Sequence, residues 1–120
     1  MPESGLTASS QPISAIKADL FRSLAHPARI RVLEVLVDGE RSVGEMQPLV
    51  GIESSHLSQQ LAILRRAGLV TTRKEGSAVF YALRDPEMAT LLAAAKRVLI
   101  NSLSETQELL ADLRVGAGGQ

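Results

Sequence analysis

Residues 42–70 read SVGEMQPLVGIESSHLSQQLAILRRAGLV. Ser42 and Glu45 form an S-x-x-E pattern, in which the hydroxyl and the carboxylate each satisfy an exposed backbone N–H at a helix start. The short helix that follows reaches about Val50, and Gly51 breaks it. Pro48 removes a backbone hydrogen bond and disfavours helical geometry at Gln47, so this helix is expected to be short or kinked. A longer helix then runs from about Ser54 to Ala67 and stops at Gly68. At ~100° per residue, Leu57, Leu61 and Leu64 share one side. Ser55, His56, Gln59 and Arg66 occupy the other, a polar, short-chained face almost free of acid. Two helices around a short turn, the second with one face to seat it and another to offer donors and acceptors, make a helix-turn-helix candidate.

Outward from this stretch the pattern stays mainly helical. Ile13, Ile16, Leu20 and Leu24 mark a first helix over about Ser14 to Leu24. Pro27 opens a second, being tolerated where its missing N–H would be unpaired anyway. Ile30, Leu33, Leu36 and Val37 form its apolar face, and Gly39 is placed to end it in a left-handed cap. Downstream the period changes: Leu69 to Lys74 and Ala78 to Leu83 flank Glu75-Gly76-Ser77, which suggests a small β-hairpin. Asp85-Pro86 then opens a long helix to about Leu113. Met88, Leu91, Leu92, Ala95, Leu99, Leu103, Leu109, Leu110 and Leu113 lie along one broad stripe of it. Residues 1–12 and 114–120 read as disordered tails, leaving one domain over 13–113.

Composition narrows the function classes. The chain has 120 residues, 45% hydrophobic and 22% charged, which suits one globular domain. It has no cysteine, so disulfides, thiolate metal sites and cysteine nucleophiles are excluded. No apolar run is long enough to span a membrane. No secretory signal is read, so a cytoplasmic protein is expected. The net charge is zero, but residues 54–84 carry five basic side chains (Arg65, Arg66, Arg73, Lys74, Arg84) against Glu75 alone. Positive charge gathered in one segment is the footprint of a polyanion partner. Enzyme chemistry has little to work with: two histidines, no nucleophile elbow, and no phosphate loop or dinucleotide fingerprint. No catalytic residue is assigned.

With residues 23–36 (SLAHPARIRVLEVL) and 73–83 (RKEGSAVFYAL), the opening stretch resembles the bacterial ArsR/SmtB family of transcription regulators. The resemblance runs from about Phe21 to Asp85. Its most specific part is the fourth helix running into Ala67-Gly68-Leu69-Val70, followed by Gly76 and Tyr81. It implies a winged helix-turn-helix fold with a long C-terminal dimerisation helix. It also implies a homodimer, paired mainly through the first and last helices, on imperfect palindromes of double-stranded DNA. Glu53 stands where this family often has a capping serine, so Ser54 is expected to take over the cap. The family's thiolate sites for arsenic, cadmium, lead or persulfide are excluded by the missing cysteines. Asp85 matches the first ligand of the last-helix zinc or nickel site, but Glu87 replaces its histidine, and Val98 and Asn101 stand near the later pair. No metal or other cofactor is therefore expected. Any metal response would fall to His26, His56, Asp85 or Glu87 and would be weak.

The expected roles follow. Ser54, Ser55, His56, Ser58 and Gln59 face bases, with Gln59 the strongest reader because its amide can both give and accept. Arg65, Arg66, Arg73, Lys74 and Ser77 meet the backbone, although Arg65 and Arg66 also suit the C-terminal end of a helix dipole. Ile16, Leu20, Leu92, Ala95, Leu99, Leu103 and Leu110 form the dimer interface. His26 is read chiefly as a helix-junction residue. The leading reading is a dimeric DNA-binding repressor. Its effector would be a small molecule, a protein partner or its own abundance. The alternatives are a regulator responding weakly to nickel or zinc, and a helical interaction module that needs a partner to bind DNA.

Overall fold

The computed structural model describes residues 11–118. Helices α1 (Ile13–Leu24) and α2 (Pro27–Leu36) lead into a short strand β1 (Arg41–Ser42). Helices α3 (Val43–Val50) and α4 (Ser54–Arg66) follow, then strands β2 (Val70–Glu75) and β3 (Ala78–Leu83). The chain ends in α5 (Glu87–Gly118). Among the described residues, 11–86 form one compact unit and α5 forms another.

The core of the first unit is drawn from four elements. Val32, Leu33 and Leu36 of α2, Met46 and Val50 of α3, Leu57, Leu61 and Leu64 of α4, and Val70 of β2 are all buried. Each fully buried aliphatic side chain contributes roughly 1.5–3 kcal/mol by leaving water, and this seam seats α4. By contrast, α1 buries Leu24 alone and exposes Ile13, Ile16 and Phe21.

Local chemistry sets most of the boundaries. The Ser42 hydroxyl accepts from the Glu45 N–H at 3.2 Å, and the Glu45 carboxylate accepts from the Ser42 N–H at 2.8 Å. This is the reciprocal cap expected at the start of α3. Pro48 lies inside α3 without ending it. Pro48 has no N–H to donate to the Gly44 carbonyl, and both residues are exposed. The helix stops one turn later at Gly51, whose φ of 77° is strained for any residue with a Cβ. At the end of α4, the Gly68 N–H donates to the Arg65 carbonyl and the Leu69 N–H to the Leu64 carbonyl, a Schellman closure.

The sheet is antiparallel, in the order β1-β3-β2. Glu75 pairs with Ala78 across a two-residue turn, Gly76-Ser77. Gly76 has φ 63° and Ser77 a negative φ, so the first central position carries the left-handed residue, as in a type II′ hairpin turn. The wing is thus one residue tighter than its sequence suggested. Strand β1 was not anticipated. It pairs Arg41 with Tyr81 and Ser42 with Phe80.

Three other expectations are corrected. Helix α2 ends at Leu36 with Val37 in right-handed geometry, so Gly39, at φ 133°, lies beyond the cap. Ser54 is the first helical residue of α4 and Glu53 holds the cap position without a side-chain bond, so the helix does not start a residue later. Helix α5 continues to Gly118, five residues past the expected end at Leu113. Its 32 residues span about 48 Å. Residues 114–118 of the expected C-terminal tail are therefore helical, and residues 1–10 and 119–120 lie outside the described residues.

Candidate nucleic-acid interface

Helices α3 and α4, joined through Gly51, form the helix-turn-helix. Arg31 of α2 seals the end of α3: its Nε donates to the Val50 carbonyl at 3.0 Å and its Nη2 to the Leu49 carbonyl at 3.1 Å. These are carbonyls that a helix end leaves unpaired, and a guanidinium is well matched to them.

On α4 the division of faces is sharp. Leu57, Gln60, Leu61 and Leu64 are buried, whereas Ser54, Ser55, Ser58, Gln59, Ala62, Arg65 and Arg66 are exposed. At ~100° per residue, Ser55, Ser58, Gln59, Ala62 and Arg66 fall on one side, opposite the leucines. This outer face holds hydroxyls, an amide and the Arg66 guanidinium, and no carboxylate. A depression beside it is lined by Ser58, Ala62, Arg65, Arg66 and Tyr81, with a volume of about 430 Å³. Arg65, Arg66 and Lys74 form no ion pair among the described residues.

His56 sits differently from its serine neighbours. It is half-buried on the flank of α4, and its ring meets that of His26 edge to face, with centroids 5.8 Å apart. His26 is the N-cap of α2, where its Nδ1 accepts from the Ala28 N–H at 3.0 Å. That bond places the proton of a neutral His26 on Nε2. Asp85 and Glu87 are exposed, and no three metal-ligating side chains come together among the described residues.

The wing carries its own ion-pair network. Arg73 donates from Nε to Glu40 at 3.1 Å and from Nη1 to Glu75 at 2.7 Å, and its Cζ lies 4.8 Å from the Phe80 ring centre. The hydrogen bond from Arg73 holds the Glu40 carboxyl below its ordinary value of 4.5. Lys74 and Ser77 are exposed beside it.

The residues proposed for pairing lie on two elements. Ile16 is exposed and Leu20 half-buried on α1. On α5, Leu92 is half-buried, and Ala95, Leu99, Leu103 and Leu110 are exposed, Leu99 and Leu103 at 63% each. No helix among the described residues is long and apolar enough to cross a membrane.

Sequence reading missed Arg29, Arg31, Glu40 and Gln60. Gln60 left a signal, being a polar residue three positions after Leu57 and next to Leu61 on the apolar side. The arginines and Glu40 left none, because their partners are carbonyls or side chains far along the chain.

A helix seated by leucines, a polar outer face beside free guanidinium groups and a flanking β-hairpin together define a winged helix-turn-helix protein. A helix-turn-helix domain family model matches residues 24–73. The HTH-type transcriptional regulator Rv0081 of Mycobacterium tuberculosis is 53% identical over 108 residues, 89% of this chain and 95% of that protein. Its crystal structure superposes with a TM-score of 0.73, covering 80% of this chain and 97% of that one. The transcriptional repressor BigR from Xylella fastidiosa is 39% identical with a TM-score of 0.67, over 71% and 87% of the two chains. A homodimeric winged helix-turn-helix DNA-binding domain from Mycobacterium bovis, Mb0332, described as a possible ArsR-family regulator, reaches 0.70 at 27% identity, over 83% and 90%. The chain belongs to the ArsR/SmtB-type winged helix-turn-helix transcriptional regulators.

Proposed function

We propose that the protein is a homodimeric repressor that binds an imperfect palindrome in the bacterial cytoplasm, with α4 in the major groove. The acid-free outer face of α4 carries this reading. Ser55, Ser58 and Gln59 on that face, with Ser54 exposed at the first position of the helix, supply donors and acceptors of a length that reaches base edges. His56, on the flank, serves the edge of that contact. Arg65, Arg66, Lys74 and Ser77 meet phosphates, and Arg73 holds the wing to which Lys74 belongs. Pairing through Ile16 and Leu20 of α1 and the stripe of α5 covers apolar surface that a monomer would expose to water. Two copies then present α4 to half-sites about one turn, roughly 34 Å, apart. The relatives named as regulators and repressors, and the homodimeric Mycobacterium bovis domain, support this reading.

The test is enrichment from a randomised duplex pool, with sedimentation of the same sample. The expected result is a dimer that enriches an inverted repeat. A stable monomer at micromolar concentration with no enriched sequence would remove the proposal.

A further inference from the structure

Among the described residues, Gln60 is the one polar side chain in the core. It lies on the inner face of α4 at 6% exposure, beside Leu57, Leu61 and Leu64. A buried amide is costly unless its polar atoms are paired. Here Oε1 accepts from Nη1 of Arg29 at 3.2 Å. Arg29 is half-buried in the first turn of α2, and its Nε donates to the Ser23 carbonyl at 2.8 Å in the last turn of α1. One guanidinium therefore ties α1, α2 and α4 together.

Packing alone does not require this arrangement. A methionine or leucine at position 60 would complete the apolar face, and α4 would still be seated. Burial of apolar surface is non-directional, so it leaves a helix free to roll within its groove. A hydrogen bond loses strength as its angle opens, so it resists that roll. A roll of about 20° on a helix of ~6 Å outer radius moves the outer groups by roughly 2 Å. Useful donor–acceptor distances span only about 0.5 Å.

We infer that the Arg29–Gln60 pair fixes the rotation of α4, making both positioning residues that set DNA specificity from the side of the helix opposite its exposed face. The inference rests on α4 being the base-reading helix.

Three proteins test it: wild type, Gln60→Met and Gln60→Glu. Each is measured on the duplex that wild type enriches from a randomised pool and on a scrambled duplex of equal length. Gln60→Met is expected to keep its thermal midpoint and its affinity for scrambled duplex, while the ratio of enriched to scrambled binding falls about tenfold. Gln60→Glu accepts the same bond with charge assistance and is expected to recover the ratio. An unchanged ratio in Gln60→Met, or no recovery in Gln60→Glu, overturns the inference. Residual dipolar couplings on the free proteins give a second reading, the orientation of α4 against α2. A shift in Gln60→Met that Gln60→Glu reverses supports the inference, and no shift overturns it. Should wild type enrich no duplex, the proposed function fails, while the couplings still decide whether the pair positions α4.

Discussion

Arg73 on the wing reaches back 33 residues to Glu40, the residue just before β1, and the pair ties the middle of β2 to the end of the α2–β1 loop. Glu75 takes a second edge of the same guanidinium. Exposed ion pairs stabilise little, so the consequence of this one lies in where it leaves the charge. Arg73 is already matched by two carboxylates, whereas Lys74 is not.

Salt dependence separates the two wing cations. Each phosphate contact contributes about 0.9 to the slope of log affinity against log salt. Lys74→Ala is expected to lower the slope by about one unit, and Arg73→Ala by clearly less. Glu40→Gln is expected to steepen the slope by releasing Arg73. Equal losses from Lys74→Ala and Arg73→Ala would mean that a phosphate displaces Glu40 when the complex forms.

Gln59 is exposed at the centre of the outer face of α4. Gln59→Ala is expected to cost about 1–3 kcal/mol on the enriched duplex and to spare scrambled duplex. Affinities measured at one salt concentration decide this, and equal loss on both duplexes would assign Gln59 to the phosphate backbone or to the fold.

Leu103 of α5 is 63% exposed, so a charge there costs the isolated chain little. Leu103→Glu is expected to sediment as a monomer with an unchanged far-ultraviolet spectrum and to lose tight binding to the inverted repeat. A Leu103→Glu protein that remains dimeric would take this part of α5 out of the interface.

The cap of α3 makes a prediction about stability. Ser42→Ala removes one half of the reciprocal cap and is expected to cost about 1 kcal/mol, read from denaturant unfolding. The bond from the Ser42 N–H depresses the Glu45 carboxyl below its ordinary 4.5. A depressed carboxyl binds protons more weakly folded than unfolded. Its contribution is therefore fully present above the unfolded value and is lost as pH falls through the folded one. Glu40 acts in the same direction. Unfolding followed from pH 7 to pH 3 should show stability falling below about pH 4.5, with a shallower fall in Glu45→Gln. An identical acid limb in that variant would remove Glu45 from the account.

Titration with zinc and nickel by calorimetry is expected to show binding no tighter than micromolar. His26 and His56 lie close, but His26 already uses Nδ1 on the Ala28 N–H, and no third ligand joins them among the described residues. Nanomolar binding abolished by changing either histidine would overturn this.

Short-range chemistry is why so much of this fold was legible in the order of residues. The leucine spacing of α4, the Ser42–Glu45 cap, the stop at Gly51 and the hairpin around Gly76 each depend on neighbours within about four residues. The acid-free outer face of α4 followed from the same periodicity. Tertiary structure decided what depends on distant partners. Strand β1 is two residues long and exists only because β3 offers it a ladder. On the flank of α4, His56 met the ring of His26, 30 positions away in sequence, and Arg73 was engaged by Glu40. Above all, the buried amide of Gln60 found a donor on α2, at Arg29, 31 residues earlier. A side chain's own periodicity says which way it points. Only the packed chain decides which charge or carbonyl it meets there, because hydrogen bonds and ion pairs act over a few ångströms in space, whatever the separation along the chain.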